Sequence, residues 1–382
     1  MYGNKYRVRS TECEVRSNAH RPCRWNSSGE PISTVILSQV ANEQSEYCDE
    51  LEEIQTSECI RSFDFRTRFT HPSAQDDIRR LCSFLVVCLL TFTCSHASAQ
   101  VPRRVTSEDV QSAVNKGIAW MRQRQLRNGA WPQSGPRGGT TTLCLLALLN
   151  AGVPEDDPGI ARGIRYLNSL PFERTYVVAL QCQVYAAANP KKHATPLAKA
   201  AKWLGDAQNN NGMWTYTRSR RGNIGDNSNT QFALLGLHEA HQAGAKISGR
   251  IWLKSRKHFL QSQNPDGGWG YTGRNQKSWG SMTAAGVASL YICGQRLLVA
   301  GQRKFVNGAY PGCGKYSRNR PLAKGLEWLA KNFSVRTNPG RGTWQLYWLY
   351  GIERVGMLSG LRTLGRNDWS RAGAAELVSK QR

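Results

Sequence analysis

Carboxylate side chains that could act on a substrate are sparse in the second part of the chain. Residues 100–382 carry 14 Asp and Glu, and Asp226, Asp266 and Glu353 are the candidates for the facing pair with which glycosidases cleave sugars. Asp266 falls in a turn, and Glu353 falls in the middle of a helical run with no visible partner. Asp226 is therefore the candidate catalytic residue, and the competing role for its carboxylate is to cap a helix.

A pair of histidines offers a second chemistry, that of a metal site. His238 and His241 are three residues apart in a helical pattern and share one face of it. Zinc sites draw on more than two ligands, however, and the pair lies late in its helix, where the helix dipole favours positive charge. We predict that both histidines are cations at a helix end and that the chain holds no metal and no cofactor.

The elements that position these residues follow from an internal repeat. Gln, Gly and Trp recur three times with identical spacing, as QxxxGxW, and a looser copy ends at Trp344. A degenerate copy lies near residues 168–172, so the repeating unit is about 40 to 55 residues long. The full copies are Gln125, Gly129 and Trp131; Gln208, Gly212 and Trp214; and Gln263, Gly267 and Trp269.

Each copy of the motif separates two kinds of helix. A helical pattern that carries Lys and Arg precedes the Gln, and we expect the Gly to end that helix while the Trp ring covers the junction. A second run, rich in small apolar residues, follows and predicts an inner helix. These runs are 141–151, 176–188, 230–240, 282–292 and 345–358. Paired helices in series predict a closed ring or a solenoid.

The motif after an outer helix resembles the repeats of squalene and hopene cyclases and of protein prenyltransferase β-subunits, over about residues 107–382. The resemblance implies an all-α fold, an α/α toroid of two concentric helix layers, with a cavity whose mouth is formed by the N-terminal ends of the inner helices. Six hairpins close the ring in that family. This chain supplies about five, plus an outer helix at roughly 371–380, so we expect an incomplete ring or one closed by another element.

The same resemblance bounds the chemistry of the cavity. Terpene cyclases of this type protonate their substrate with a DxDD motif, whereas the matching segment here is Asp226-Asn227-Ser228-Asn229-Thr230. A hydroxyl and an amide cannot replace the lost acids as proton donors, so proton-initiated cyclisation is not expected. The zinc ligands of prenyltransferases have no evident counterpart. The segment 312–315 is similar to the thioester motif of complement-type toroids but lacks its Glu and Gln, which favours a surface loop.

Aromatic residues near the motif turns are the candidates for lining the mouth. Such rings suit an isoprenoid chain, and nearby cations suit a diphosphate. Two basic clusters, one at 218–221 and one at 254–257, would instead suit an acidic glycan if they faced one side. The candidate ligand-binding residues are Asn229, Trp214, Tyr271, Trp279, Trp344 and Tyr347.

An apolar stretch divides the chain into two parts. Arg79-Arg80 precede the 14 residues 81–94, and a small-x-small pattern ends at Ala99. This order is typical of a secretory signal, whereas a spanning helix needs about 20 apolar residues; a buried core helix is the alternative. We predict a signal peptide over 79–99, cleavage near Ala99 and an exported toroid domain over 100–382. Residues 1–78 show no periodicity and are a predicted disordered extension or the product of a start assigned too far upstream.

Charge and cysteine content follow the same division. Residues 1–99 hold 11 Lys and Arg against 13 Asp and Glu, whereas the remainder holds 40 against 14. Such an excess attracts anions, and after export an anionic envelope component is expected rather than nucleic acid. Four cysteines remain after cleavage. Cys144 and Cys182 are expected in the core, and Cys293 and Cys313 are a candidate disulfide.

The sequence as a whole predicts that the protein is a binding or interaction module. Its partner would be an apolar, isoprenoid-like or amphiphilic ligand, or a component of the cell envelope. Its composition, with 40% hydrophobic residues and 12 Trp, excludes an acidic disordered chain, a collagen and a many-spanning membrane protein. An isoprenoid-processing enzyme with a modified site and an enzyme acting on an acidic polysaccharide are the alternatives, so the sequence leaves open whether the chain is an enzyme.

Overall fold

Eleven helices make up the ordered secondary structure of the computed structural model, which describes residues 105–133, 135–218, 225–273, 276–301 and 319–381. No strand occurs within these ranges, and none of the helices there is long and apolar enough to cross a bilayer. The helices are α1 (Ser107–Arg124), α2 (Gly139–Asn150), α3 (Pro158–Asn168), α4 (Thr175–Ala188), α5 (Ala194–Ala207), α6 (Asn227–Gln242), α7 (Gly249–Ser262), α8 (Gly280–Gly301), α9 (Arg320–Lys331), α10 (Gln345–Ser359) and α11 (Trp369–Lys380).

The helices form two layers, the α/α toroid that the sequence predicts. The inner layer runs α2, α4, α6, α8, α10, and each of these helices packs against the next. The inner helices are buried on nearly all sides, as in α6, where small and apolar residues permit close approach: Gly236 lies against the backbone of Ala179 in α4. The other helices bury one face and form the outer layer. The N-terminal ends of α4, α6, α8 and α10 lie along one edge of the inner layer, because aromatic residues at their starts contact one another. We call this edge the mouth.

The QxxxGxW motif joins one outer helix to the next. In each full copy the Gln caps the outer helix with extended backbone, and its amide donates both to the Gly carbonyl and to a carbonyl at the start of the following outer helix. The Trp indole donates to a carbonyl ten residues earlier, in the outer helix that precedes the motif. The sequence predicts that the glycine ends the helix, but the helix ends at the Gln. The glycine turns the chain four residues later, with φ of 87° to 91°.

The looser fourth copy is built differently. Gly342 has a positive φ of 89°, but Trp344 lies at the N-cap of α10 instead of covering the helix junction. Trp348, four residues further on, is fully buried and its indole donates to the Ser334 carbonyl at 2.6 Å. The function of the motif Trp is thus supplied from within the inner helix.

The ring is closed by its outer layer. Gln381 caps α11 with the same extended backbone as the motif glutamines, and its amide donates to the Ala113 carbonyl of α1 at 2.8 Å. This bond repeats, between the last and first outer helices, the link that each motif Gln makes to its neighbour. Within the described ranges, six outer helices therefore surround five inner ones, which answers the question of closure that the sequence left open.

Side chains occupy the middle of the inner layer. Phe232 of α6 stacks on Tyr347 and Tyr350 of α10, with ring centroids 6.1 and 5.8 Å apart. The Tyr347 hydroxyl donates to the side-chain amide oxygen Oε1 of Gln231 at 2.8 Å. Helices that are not neighbours in the ring thus touch through their side chains, and we call these three rings the floor.

Candidate functional site

Backbone hydrogen bonds connect the starts of three inner helices to neighbouring repeats. The first amides of α4, α6 and α8 each donate to a carbonyl in the loop of the next repeat: Thr175 to Tyr216, Asn227 to Tyr271 and Gly280 to Pro339, at 2.9, 2.8 and 2.7 Å. Helix N-terminal amides need such acceptors because no partner exists within the helix. Tyr216 and Tyr271 each lie two residues after a motif Trp, so the repeat itself brings tyrosines to this edge.

Asp226 begins α6 at the mouth and is buried. Its carboxylate accepts hydrogen bonds from the Ser228 hydroxyl at 2.5 Å, from the Asn229 backbone amide at 2.8 Å and from the Asn229 side chain at 2.8 Å. Burial raises the pKa of this carboxyl, and the three hydrogen bonds oppose that shift. The residues that replace the acids of the cyclase motif therefore serve as donors to Asp226.

Thr230 completes this arrangement. Its hydroxyl donates to the Asp226 carbonyl at 2.6 Å and accepts from the Trp214 amide at 3.1 Å. Thr141 and Thr283 accept from Trp131 and Trp269 in the same way, so the threonine belongs to the repeat architecture. Asp226 and Thr230, the two residues that match the cyclase motif, therefore both have a structural role at the start of α6.

Replacing Asp226 tests this structural role. Asp226→Ala is expected to lower the free energy of unfolding by about 2 kcal/mol, because it removes an N-cap and leaves buried donors unpaired. Urea unfolding measures the change. Asp368 provides the matched control, since it caps α11 through a single bond to the Arg371 amide, and Asp368→Ala should cost about 1 kcal/mol. Equal costs in the two variants would contradict a special role for the buried cap.

A continuous run of aromatic rings borders the mouth. We call it the mouth surface, and all of its members are half-buried. The ring centroids of Tyr176 and Tyr216 are 6.0 Å apart, and the hydroxyl oxygens of Tyr216 and Tyr271 are 3.0 Å apart. The ring centroid of Trp279 lies 6.1 Å from that of Tyr271 and 6.2 Å from that of Trp344. Tyr176 also contacts Phe232 at 4.5 Å, which joins the run to the floor. All five residues are partly exposed, so together they form an aromatic border at this end of the inner layer.

Arg341 lies over the tryptophans of this surface. Its guanidinium carbon is 4.8 Å from the Trp279 ring and 4.6 Å from the Trp344 ring, and the residue is exposed. Stacking on two rings holds the cation in place while its N–H donors remain accessible to an anion. Trp344 has φ of 58°, the single positive value among non-glycine residues in the described ranges, and such strain tends to occur at functional sites.

The structure unites some of the predicted ligand-binding residues and separates others. Tyr271, Trp279 and Trp344 form one side of the mouth surface, and Tyr347 lies beneath it in the floor. Asn229 is buried, and its side-chain oxygen Oδ1 has no hydrogen-bond partner among the described residues. Trp214 is not on the surface, because it is fully buried and its indole donates to the Leu204 carbonyl.

Sequence reasoning did not single out three members of the site. Tyr176 and Phe232 read as ordinary residues of inner helices, and Arg341 reads as one of many loop cations. The recurrence of Tyr two residues after the motif Trp would have indicated part of the mouth surface. Nothing in the local sequence marks Arg341, because its two partner rings come from different repeats.

The other candidate carboxylates are engaged in structure. Asp266 accepts from the Ser278 hydroxyl at 2.8 Å and from the Trp328 indole at 3.0 Å. Glu353, which the sequence left without a partner, pairs with the guanidinium of Arg354. Asp226 begins an inner helix, whereas Glu353 lies in the second half of one, so the two are at different depths of the inner layer. The structure therefore offers no facing pair among these three.

The two histidines have a different role from the predicted one. The guanidinium of Arg296 donates to Nδ1 of His238 at 3.1 Å and contacts Nδ1 of His241 at 3.1 Å. A histidine that accepts from arginine is neutral, and burial together with Arg296 lowers the pKa of His238 to about 4. The prediction that they are helix-end cations was wrong, because this arginine faces them from α8.

Metal-binding side chains and cysteines are the remaining candidates for chemistry. Within the described ranges, no group of three His, Cys, Asp or Glu side chains is arranged to hold a metal ion. Cys144, Cys182 and Cys293 are buried, and none of them forms a disulfide with another cysteine of the described ranges. Cys313, the segment 312–315, Arg220, Arg221 and residues 1–104 lie outside the described residues, so the signal peptide is not among the features that the structure describes.

Comparison with known proteins finds a likeness of fold among solved structures. No protein-family profile matches the chain, and no curated protein matches it in sequence. Among solved structures, the chain is similar to ent-copalyl diphosphate synthase from Streptomyces platensis, with 14% identity over 68% of this chain and a TM-score of 0.44. The match covers 50% of that structure, so the chain spans about half of its length.

Proposed function

We propose that this protein is an exported binding module that takes an amphiphilic ligand with an apolar, isoprenoid-like body at its mouth. The observation that carries the proposal is the mouth surface, in which five half-buried rings surround the ends of the inner helices and lead to Phe232. Half-buried aromatic rings beside a fixed cation are suited to an apolar body with an anionic head. Arg341 is the cation that would receive that head.

Binding is favoured over cyclisation by the state of Asp226. A proton-donating carboxyl must deliver its proton to the substrate, whereas this carboxylate accepts three hydrogen bonds from its own helix. Ser228 and Asn229, which hold it, cannot take over as acids. Export after cleavage near Ala99 belongs to the same proposal and rests on the signal-like segment 79–99.

The ligand proposal predicts a loss of affinity in one tryptophan variant and not in another. Geranylgeranyl diphosphate is the probe, and calorimetric titration measures its Kd. Trp279→Ala should weaken binding at least about tenfold, because it removes a ring that contacts both Tyr271 and Trp344 and that supports Arg341.

The control uses a Trp–Arg pair that is not part of the mouth surface. Trp120 of α1 is exposed and stacks with Arg124 at 4.1 Å, far in sequence from any mouth residue. Trp120→Ala should leave the Kd unchanged. Arg341→Ala should weaken the diphosphate more than the alcohol geranylgeraniol. Equal Kd values for Trp279→Ala and wild type would exclude the mouth surface as the site.

An isoprenoid-processing activity is the second candidate, and Asp226 would be its acid because this carboxyl is buried at the start of an inner helix. Burial raises the pKa of this carboxyl, as is common for acids in active sites. Product analysis after incubation with geranylgeranyl diphosphate or squalene distinguishes the candidates. Turnover that Asp226→Asn abolishes, with an unchanged melting temperature, would establish the enzyme; saturable binding without turnover would establish the module.

A further inference from the structure

A groove opens on the outer layer, away from the mouth. It lies between α5, the loop 243–248 and the start of α7, and its volume is about 730 Å³, within the range of about 300–1,000 Å³ typical of sites for small ligands. The two outer helices approach at one end of it, where a Cβ on Gly205 would lie 3.1 Å from Ile251. Apolar groups form the floor: Leu197, Ala198, Ala201, Ile247 and Ile251.

Cations border this groove. Its lining includes Lys202, Lys246, Arg250 and Lys254, against a single acid, Asp206, which pairs with Lys202 at 2.7 Å. Lys202, Lys246 and Arg250 are exposed, so they retain contact with solvent and attract anions over about a Debye length. An apolar floor with a cationic border matches an anionic amphiphile.

The surface of α7 continues the same pattern. This helix has no acidic residue, and Arg250, Lys254 and Lys257 occupy one face at spacings of four and three. Leu253 lies among them and is 57% exposed. A cationic helix face that also exposes an apolar side chain is typical of helices that lie on anionic membranes.

We propose that this outer face, formed by the groove and the α7 stripe of Arg250, Leu253, Lys254 and Lys257, docks on an anionic lipid bilayer. The cations contact the headgroups, Leu253 enters the interface, and the groove accommodates part of one acyl chain. Polyanions such as nucleic acids or acidic glycans would use the charges but leave the apolar floor and Leu253 without a role. The lipid is therefore the partner whose chemistry matches every part of this face.

Co-sedimentation with vesicles tests the docking. The expressed chain, as its host processes it, is mixed with vesicles of phosphatidylcholine alone or with about one quarter phosphatidylglycerol. Binding should require phosphatidylglycerol and should fall at least about tenfold between about 0.1 M and 1 M salt, because screening weakens the attraction of exposed cations. Absence of binding to the anionic vesicles would overturn the proposal.

Charge-reversal variants assign the binding to this face. The triple variant Lys246→Glu, Arg250→Glu and Lys254→Glu should lose at least about tenfold in partitioning, since each cation near an anionic surface contributes measurably. Its matched control reverses three exposed cations of another outer helix, α9: Arg320→Glu, Lys324→Glu and Lys331→Glu. Equal losses in both triples would show that net charge alone acts. Circular dichroism melting confirms that each variant is folded.

Two further measurements separate lipid from other anions and from the mouth. Leu253→Ser should weaken vesicle binding without changing any binding to duplex DNA; an equal effect on both would overturn the lipid assignment. Trp279→Ala, which alters the mouth surface, should leave vesicle binding intact. The docking face can therefore be lost or retained independently of the ligand site, and failure of one proposal leaves the other testable.

Discussion

Gly212→Ala is expected to lower the free energy of unfolding by about 3 kcal/mol or more, whereas Gly244→Ala should lower it by about 1 kcal/mol. Both glycines have a positive φ, 87° and 96° respectively, so both variants pay the strain of an L-residue in that region. They differ in their surroundings. A Cβ on Gly212 would lie closer than 3.0 Å to the Lys254 carbonyl oxygen, whereas nothing lies within 4 Å of one on Gly244.

The larger cost follows from what the Gly212 turn contacts. Its carbonyl accepts from the Ser255 hydroxyl at 2.8 Å, and the Gln208 amide donates to the Ile251 carbonyl at 3.0 Å, so the turn docks on the backbone of the next outer helix. A methyl group there separates α7 from the turn and disrupts these bonds together. Backbone, unlike a flexible side chain, cannot move aside locally.

Urea unfolding of the two variants gives the comparison, with a second pair as replicate. Gly129 packs against the Arg162 carbonyl in the first repeat, while Gly152 has a positive φ and open surroundings. The difference between Gly129→Ala and Gly152→Ala should again be about 2 kcal/mol. Equal losses within each pair would mean that φ alone constrains the motif and that its contact with the next helix contributes nothing.

The repeat could be predicted because its signal is local. Most helices begin and end within a few residues of the predicted runs: the run 371–380 becomes Trp369–Lys380, and 230–240 becomes Asn227–Gln242. The run 282–292 is the exception, because α8 continues beyond it to Gly301. Periodicity and the motif spacing are sufficient for that. They also identified Tyr271, Trp279 and Trp344, since each lies beside a motif turn, where the ends of inner helices converge.

Ring closure, the filled middle of the inner layer and the state of the histidines depend on contacts between residues that are distant in sequence. The bond between Gln381 and Ala113 spans 268 positions, and that between Tyr347 and Gln231 spans 116, so neither the closure of the ring nor the filled middle has a local signal. The histidines were misjudged for the same reason. A helix end favours a cation only when no other cation faces it, and Arg296 comes from another helix.

Two buried histidines make stability depend on pH. The pKa of His238 is lowered to about 4 by burial and by Arg296, and burial lowers that of His258 to about 4. His258 donates to the Asn227 oxygen at 2.7 Å, because the Asn227 amide is committed to the Gly270 carbonyl. Both side chains are therefore neutral in the folded protein at neutral pH.

The sign of the effect follows from linkage. A histidine in the unfolded chain has a pKa of about 6.5, so it binds a proton below that pH. In the folded protein His238 and His258 bind a proton only below about pH 4, so between these pH values the unfolded state binds more protons. Stability should be constant above about pH 6.5 and should fall as the pH drops to about 4, by about 2 to 3 kcal/mol for each histidine. Burial raises the pKa values of Asp226 and Glu239, which act in the opposite sense.

Comparison of variants isolates the histidines from these carboxyls, which are the same in every variant. His258→Gln keeps an amide that can donate to Asn227 but removes the titration, and His238→Gln keeps an oxygen that can accept from Arg296. Each variant should reduce the slope of the unfolding free energy against pH by about one proton, or about 1.4 kcal/mol per pH unit, between pH 4.5 and 6. Slopes identical to wild type would show that both histidines accept protons in the folded state, which would also contradict their bonds to Arg296 and Asn227.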